Sequence, residues 1–131
     1  MYNNLAQHRG IGAYQDVQKT TRSGRELEAY VLTKGALLLK QCRDAWGNKG
    51  LSADLDKALR FNQAVWSVLQ NELAKEDNPL PLKLRQEILS LSVFIDRRIF
   101  EIIADPSPEK LAIIIDINSS LAAGLRGFSG A

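Results

Sequence analysis

Residues suited to covalent or metal chemistry are almost absent from this sequence. Its single cysteine, Cys42, excludes an intramolecular disulfide and suits a reducing compartment. Its single histidine, His8, leaves no His/Cys set able to grip a metal, so neither a metal site nor a cofactor is expected. A nucleophile needs a base beside it, and His8 would have to fold back onto a serine or Cys42 to provide one. No catalytic residue is therefore assigned, and the chain is not expected to be an enzyme. Long apolar runs are missing too: the longest is Leu111–Ile115, too short to cross a bilayer. The opening Met1–Gly10 lacks the apolar centre of a signal peptide. Charge of one sign is also scarce. Seventeen basic residues against 15 acidic ones give a net +2, too balanced to announce nucleic acid or an anionic membrane. A cytoplasmic protein without a membrane contact is expected.

What the 131 residues do contain is helical periodicity, in a length suited to one domain. Two amphipathic segments flank the joint Asp77-Asn78-Pro79-Leu80-Pro81. Before it, Leu55, Leu59, Trp66, Leu69 and Leu73 recur at helical spacing; after it, Leu84, Ile88, Leu91, Ile95, Ile99 and Ile102 do the same. Proline lacks an N–H and clashes with the preceding turn, so the joint forbids one continuous helix. The spacing predicts an all-α fold, a small helical bundle of about four main helices.

The expected organisation is a flexible basic leader over 1–22, a single helical domain over 23–127 and a C-terminal tail over 128–131. The leader region through residue 25 sets Arg9, Lys19, Arg22 and Arg25 against Asp16 alone. Ser23-Gly24-Arg25-Glu26 reads as a capping box opening helix 1. Leu27, Val31, Leu38, Cys42 and Ala45 form its apolar face, widened by Tyr30 and Leu37, and Gly47-Asn48-Lys49-Gly50 stops it. Helix 2 runs from Ser52, as N-cap, to about Ala74. Within its face Asn62 needs a hydrogen-bonding partner. Trp66 is the core anchor, with its indole N–H reaching a polar group at the bundle edge.

Helix 3, from Pro81 to the break at Asp105-Pro106, carries a second apolar stripe: Leu82, Leu89, Val93, Phe100 and Ile103. Two stripes predict a helix buried on two sides. The second stripe could pack on helix 1 or helix 4, or it could receive an amphipathic helix of another protein. Leu89, Val93, Phe100 and Ile103 are the candidate partner-binding residues. Arg97 is expected to pair with Glu101 one turn on. Helix 4 restarts at Ser107-Pro108-Glu109, faces inward through Leu111, Ile114, Ile115, Ala122 and Leu125, and dissolves at Gly124, Gly127 and Gly130. Its Ile113-Ile114-Ile115 run would suit a strand equally well on propensity, but the capping and the neighbouring periodicity favour helix.

Read as text, the chain resembles the flagellar biosynthesis regulator FlaF family over about residues 13–127. The likeness rests on Val65-Trp66-x-x-Leu69, on the Asp77–Pro81 joint, and on Leu84-Arg85 followed by Ile88-Leu89-Ser90-Leu91. Ala13-Tyr14-Gln15-x-Val17 and Ser23-x-Arg25-Glu26-Leu27-Glu28 match the family's opening. Gly24 departs from the family's proline there, and residues 1–12 have no counterpart. The resemblance implies a cytoplasmic, all-helical, flagellin-binding secretion chaperone needed for flagellin synthesis and export, working alongside the regulator FlbT. Two other classes stand beside it. One is an RNA-binding post-transcriptional regulator of flagellin expression, motivated by the basic leader but lacking an aromatic stacking platform. The other is a structural helical interaction module.

Overall fold

A computed structural model describes the backbone of residues 21–130 and the side chains of residues 24–127. Most of the expected leader, residues 1–20, lies outside the described residues. Four helices follow: α1 (Thr21–Asp44), α2 (Leu51–Leu73), α3 (Leu82–Ala104) and α4 (Ala112–Gly130), with a 3-10 turn at Pro108–Leu111 leading into the last. No strand occurs among the described residues, and the Ile113–Ile115 run is helical. The all-α reading holds.

Local chemistry sets the breaks. Gly47 and Gly50 take positive φ angles of 91° and 88°, a conformation that a side chain disfavours, and the chain reverses between α1 and α2. The α2–α3 joint is clamped by two side chains. Asn78 donates from Nδ2 to the Glu72 carbonyl at 2.9 Å, while its Oδ1 accepts from the Leu80 N–H at 3.0 Å. Arg85 donates from Nε to the Leu80 carbonyl at 3.1 Å and from Nη1 to the Lys75 carbonyl at 3.0 Å. Leu80 itself is buried. The joint is thus a folded part of the core: Asn78 supplies a partner for the Glu72 carbonyl at the end of α2, and Arg85 ties the loop carbonyls of Lys75 and Leu80 to α3.

Several expected boundaries move. α1 already begins at Thr21, so Ser23 lies inside its first turn rather than at its cap, and residues 21 and 22 belong to the helix, not the leader. No proline intervenes to stop the helix from extending upstream. α2 starts at Leu51 with Gly50 as N-cap, which places Ser52 in the first turn. At the other end α4 runs on through Gly130, so residues 128–130 continue a helix instead of forming a tail. A lone glycine costs about 1 kcal/mol relative to alanine in a helix. That is too little to break a helix anchored by buried Ala122 and Leu125.

The core lies between the inward faces of all four helices. α2 buries the expected Leu55, Leu59, Trp66, Leu69 and Leu73, the 3-10 turn buries Leu111, and α4 buries Ile114, Ile115, Ala122 and Leu125. Fully burying one such aliphatic side chain contributes about 1.5–3 kcal/mol. α1 differs from expectation. Its buried line is Ala29, Leu32, Ala36, Leu39 and Cys42, whereas Leu27, Val31, Leu38 and Ala45 are half-buried and Tyr30 and Leu37 face outward. The helix is turned towards its small residues because α4, its most extensive neighbour, approaches closely there. Gly35 marks the closest point: a Cβ on it would overlap Asn62 Oδ1 and stand 2.9 Å from Asn118 Nδ2.

Candidate functional site

Polar chemistry inside the bundle is concentrated in one network. Trp66, Asn62 and Asn118 are all at 0% exposure. Asn62 donates from Nδ2 to the carbonyls of Ala58 at 2.9 Å and Gly35 at 3.2 Å. Its Oδ1 accepts from Asn118 Nδ2 at 2.7 Å, and that same amide reaches the Leu32 carbonyl at 3.2 Å. The Trp66 indole N–H donates to Asn118 Oδ1 at 3.0 Å. The partner of Trp66 therefore sits at the centre of the bundle, not at its edge. Three helices, α1, α2 and α4, are tied at one level by groups that have no access to water. A half-made version of this network would leave buried amides unpaired, so it selects one register of the three helices. Its amides and indole serve structure and hold no reacting group.

Other titratable groups are less completely partnered, and Arg25 Nη1 is buried with no hydrogen-bond partner among the described residues. Arg25, counted with the leader's charges, is buried and pairs from Nε with Glu28 Oε1 at 3.0 Å. Burial pushes the Glu28 carboxyl up from its ordinary range; Arg25 opposes the rise and Glu72 adds to it. Cys42 lines a pocket of about 350 Å³ between α1 and α2, together with Leu38, Leu51, Asp54 and Lys57. Burial, and then the Asp54 charge, push its thiol up, which keeps it protonated and a poor nucleophile. Arg98, not Arg97, pairs with Glu101, at 3.0 Å and three residues apart, since Arg98 is the one turned towards the 3-10 turn, where it also donates to the Lys110 carbonyl at 3.4 Å. Among the described residues, no three of His, Cys, Asp and Glu gather as a metal would require.

The outer face of α3 is different. Ile88, Ile95, Ile99 and Ile102 are buried, as their stripe requires, but the second stripe is not covered. Val93 is 57% exposed, Phe100 74% and Ile103 55%; Leu82 is also exposed, and Leu89 is half-buried. The expectation of a helix buried on two sides is corrected here. α3 approaches α2 and the 3-10 turn, and no other element lies over its second stripe among the described residues.

With Gln86 and Asp96 included, the stripe reads Leu82, Gln86, Leu89, Val93, Asp96, Phe100 and Ile103, alternately four and three residues apart. That is the spacing of a seam into which another helix fits knobs-into-holes. Asp96 Oδ2 accepts from Gln70 Nε2 of α2 at 3.2 Å. Gln70 of α2 therefore stands beside the seam at the level of Asp96. A second, shallower groove of about 350 Å³ runs between α3 and α4 beside Leu91, Ile117 and Leu121. Contiguous exposed apolar patches, when large and rimmed by polar residues, mark contact surfaces.

Over residues 11–125 the chain matches the family described as flagellar protein FlaF. It belongs to the FlaF family. Membership ties the chain to a flagellar role and covers both the buried network and the α3 seam. No curated protein and no solved structure matches it. No helix among the described residues is long and apolar enough to cross a membrane.

Sequence reasoning found the stripe by its period, and found Trp66 and Asn62 by type. It passed over Asn118 and Gly35. Asn118 has a legible signal, since it interrupts the inward stripe of α4 between Ile115 and Ala122, as Asn62 interrupts that of α2. Only the fold sets the two asparagines face to face.

Proposed function

We propose that this FlaF-family chain is a cytoplasmic secretion chaperone for flagellin, holding an amphipathic helix of flagellin along the α3 seam before export. One observation carries the reading: Leu89, Val93, Phe100 and Ile103 lie on one face of α3, and three of the four are more than half exposed. Apolar groups at that spacing match the anchor pattern of a helix laid in a groove. The chaperone works by binding and catalyses nothing, which suits a chain whose buried Asn62, Trp66 and Asn118 are engaged with one another. In this reading FlbT is a further partner in flagellin control.

The test uses Val93→Glu and Phe100→Glu in the full chain, with melting and flagellin affinity measured on the same preparations. Both side chains are exposed, so melting temperatures should stay near wild type. Flagellin binding should fall tenfold or more, about 1.4 kcal/mol. Wild-type affinity in both variants would move the flagellin site away from α3. A large loss of melting temperature would show the stripe to be internal packing. Retained flagellin binding with salt-sensitive binding of flagellin mRNA would favour the RNA reading.

A further inference from the structure

The charges bordering the α3 seam say which kind of helix fits it, given the reading above that the seam receives one. On the α2 side the side chain that touches the seam is uncharged: Gln70, which donates to Asp96. On the opposite side the row next to the seam is Lys83, Ser90 and Arg97, seven residues apart and all exposed. Lys83 and Arg97 stand about 21 Å apart along the helix axis at 1.5 Å per residue. Two acids stand one turn on from these cations: Glu87, exposed, four residues after Lys83, and Glu101, four after Arg97, which Arg98 holds at 3.0 Å. Within the seam, Asp96 accepts from Gln70 through Oδ2. Its Oδ1 has no partner among the described residues.

A second copy of this chain meets those features badly. Paired parallel and in register, the two seams would set Asp96 against Asp96, two carboxylates in a desolvated contact. Paired antiparallel, the register that matches Asp96 with Gln86 of the other copy brings Arg97 beside that copy's Lys83, cation against cation. The next antiparallel register, offset by one heptad, sets Asp96 against Val93 and leaves a carboxylate on an apolar side chain. A different helix avoids every one of these conflicts if its charges are complementary.

We propose that the α3 seam is specific for an amphipathic helix of an export partner that is acidic along one flank. Its carboxylates face Lys83 and Arg97, and an amide or basic side chain within its apolar stripe faces Asp96. The apolar contacts hold the helix, while the flank charges and Asp96 choose its direction and register, as single polar positions do in paired helices.

The probe is purified flagellin, titrated against the full chain at about 0.05 M and about 0.5 M salt, on either side of strong screening. Lys83→Glu combined with Arg97→Glu should weaken binding about tenfold at low salt, and the difference should shrink at high salt. Phe100→Glu should weaken it at both. Both side chains of the double variant are exposed, so its melting temperature should match wild type. If the double variant binds as wild type while Phe100→Glu binds weakly, the acidic-flank proposal is overturned and the seam stands as the flagellin site. Tighter binding by the double variant overturns it as well, since the partner's flank would then be basic. Wild-type affinity in Phe100→Glu removes the seam reading itself. Light scattering of the free chain supplies the remaining arm: a dimer that Phe100→Glu dissolves would make a second copy the occupant and overturn the proposal.

Discussion

Replacing Gly35 by alanine should destabilise this protein, although the same change in an open helix is favourable. Alanine gains about 1 kcal/mol over glycine in a helix interior. At Gly35 the added methyl would overlap Asn62 Oδ1 and crowd Asn118 Nδ2 at 2.9 Å. Those two atoms are the acceptor and donor of the 2.7 Å bond linking α2 to α4. Neither amide is free to swing away. Asn62 is held by the Ala58 and Gly35 carbonyls, and Asn118 by the Leu32 carbonyl and the Trp66 indole. Overpacking of this kind costs about 1–3 kcal/mol. Loss of a buried hydrogen bond that leaves its partner unpaired adds about 1–3 kcal/mol. After the helical gain of about 1 kcal/mol, the net loss should be about 1–5 kcal/mol, or roughly 4–20 °C in melting temperature for a chain of this size. Urea and thermal unfolding of the full chain measure it. Gly124→Ala is the control, because nothing lies within 4 Å of a Cβ there, and it should leave stability equal or raised. The double variant Gly35→Ala/Asn62→Ala isolates the cause. With the Asn62 amide gone, the alanine should cost less than about 1 kcal/mol, a coupling that independent sites do not show. A Gly35→Ala protein as stable as wild type would refute the reasoning, since the two amides would then have room to move.

Two further outcomes follow from the same core. Trp66→Ala should cost about 3–5 kcal/mol. Trp66→Phe should still cost about 1–3 kcal/mol, because Asn118 Oδ1 loses its indole donor; a phenylalanine variant with wild-type stability would deny that bond any weight. Glu28 predicts a pH dependence. Its carboxyl is raised in the folded state above the ordinary 4.5, so the native chain binds the extra proton, and stability falls as pH rises from about that value through the folded pKa. The stability of wild type relative to Glu28→Gln should fall over that window and then level off, and a rise in denaturation midpoints taken across it would reverse the sign.

The four helices and most of their breaks are legible in the sequence alone, because the signals are local. Pro79 and Pro81, Pro106 and Pro108, and Gly47 and Gly50 each act on their own stretch of backbone, whatever lies across the fold. Equally legible are the inward faces of α2 and α4, where one apolar stripe stands alone and leaves no choice. On α1 two apolar rows compete, one through Leu27, Val31 and Leu38 and one through Leu32 and Leu39, and apolar size does not choose between them. The tertiary structure instead turns Ala29, Gly35 and Ala36 inward, and close approach rewards smallness in a way that hydrophobicity does not encode. On α3 periodicity drew both stripes with equal clarity. Which one is covered depends on where α2 and the 3-10 turn lie, and that is decided by contacts far apart in sequence. The meeting of Asn118 with Asn62 and Trp66 belongs to the same class. Each residue is visible alone, but the bonds between them span 52 and 56 positions. Only packing of the whole bundle brings such groups within hydrogen-bonding reach.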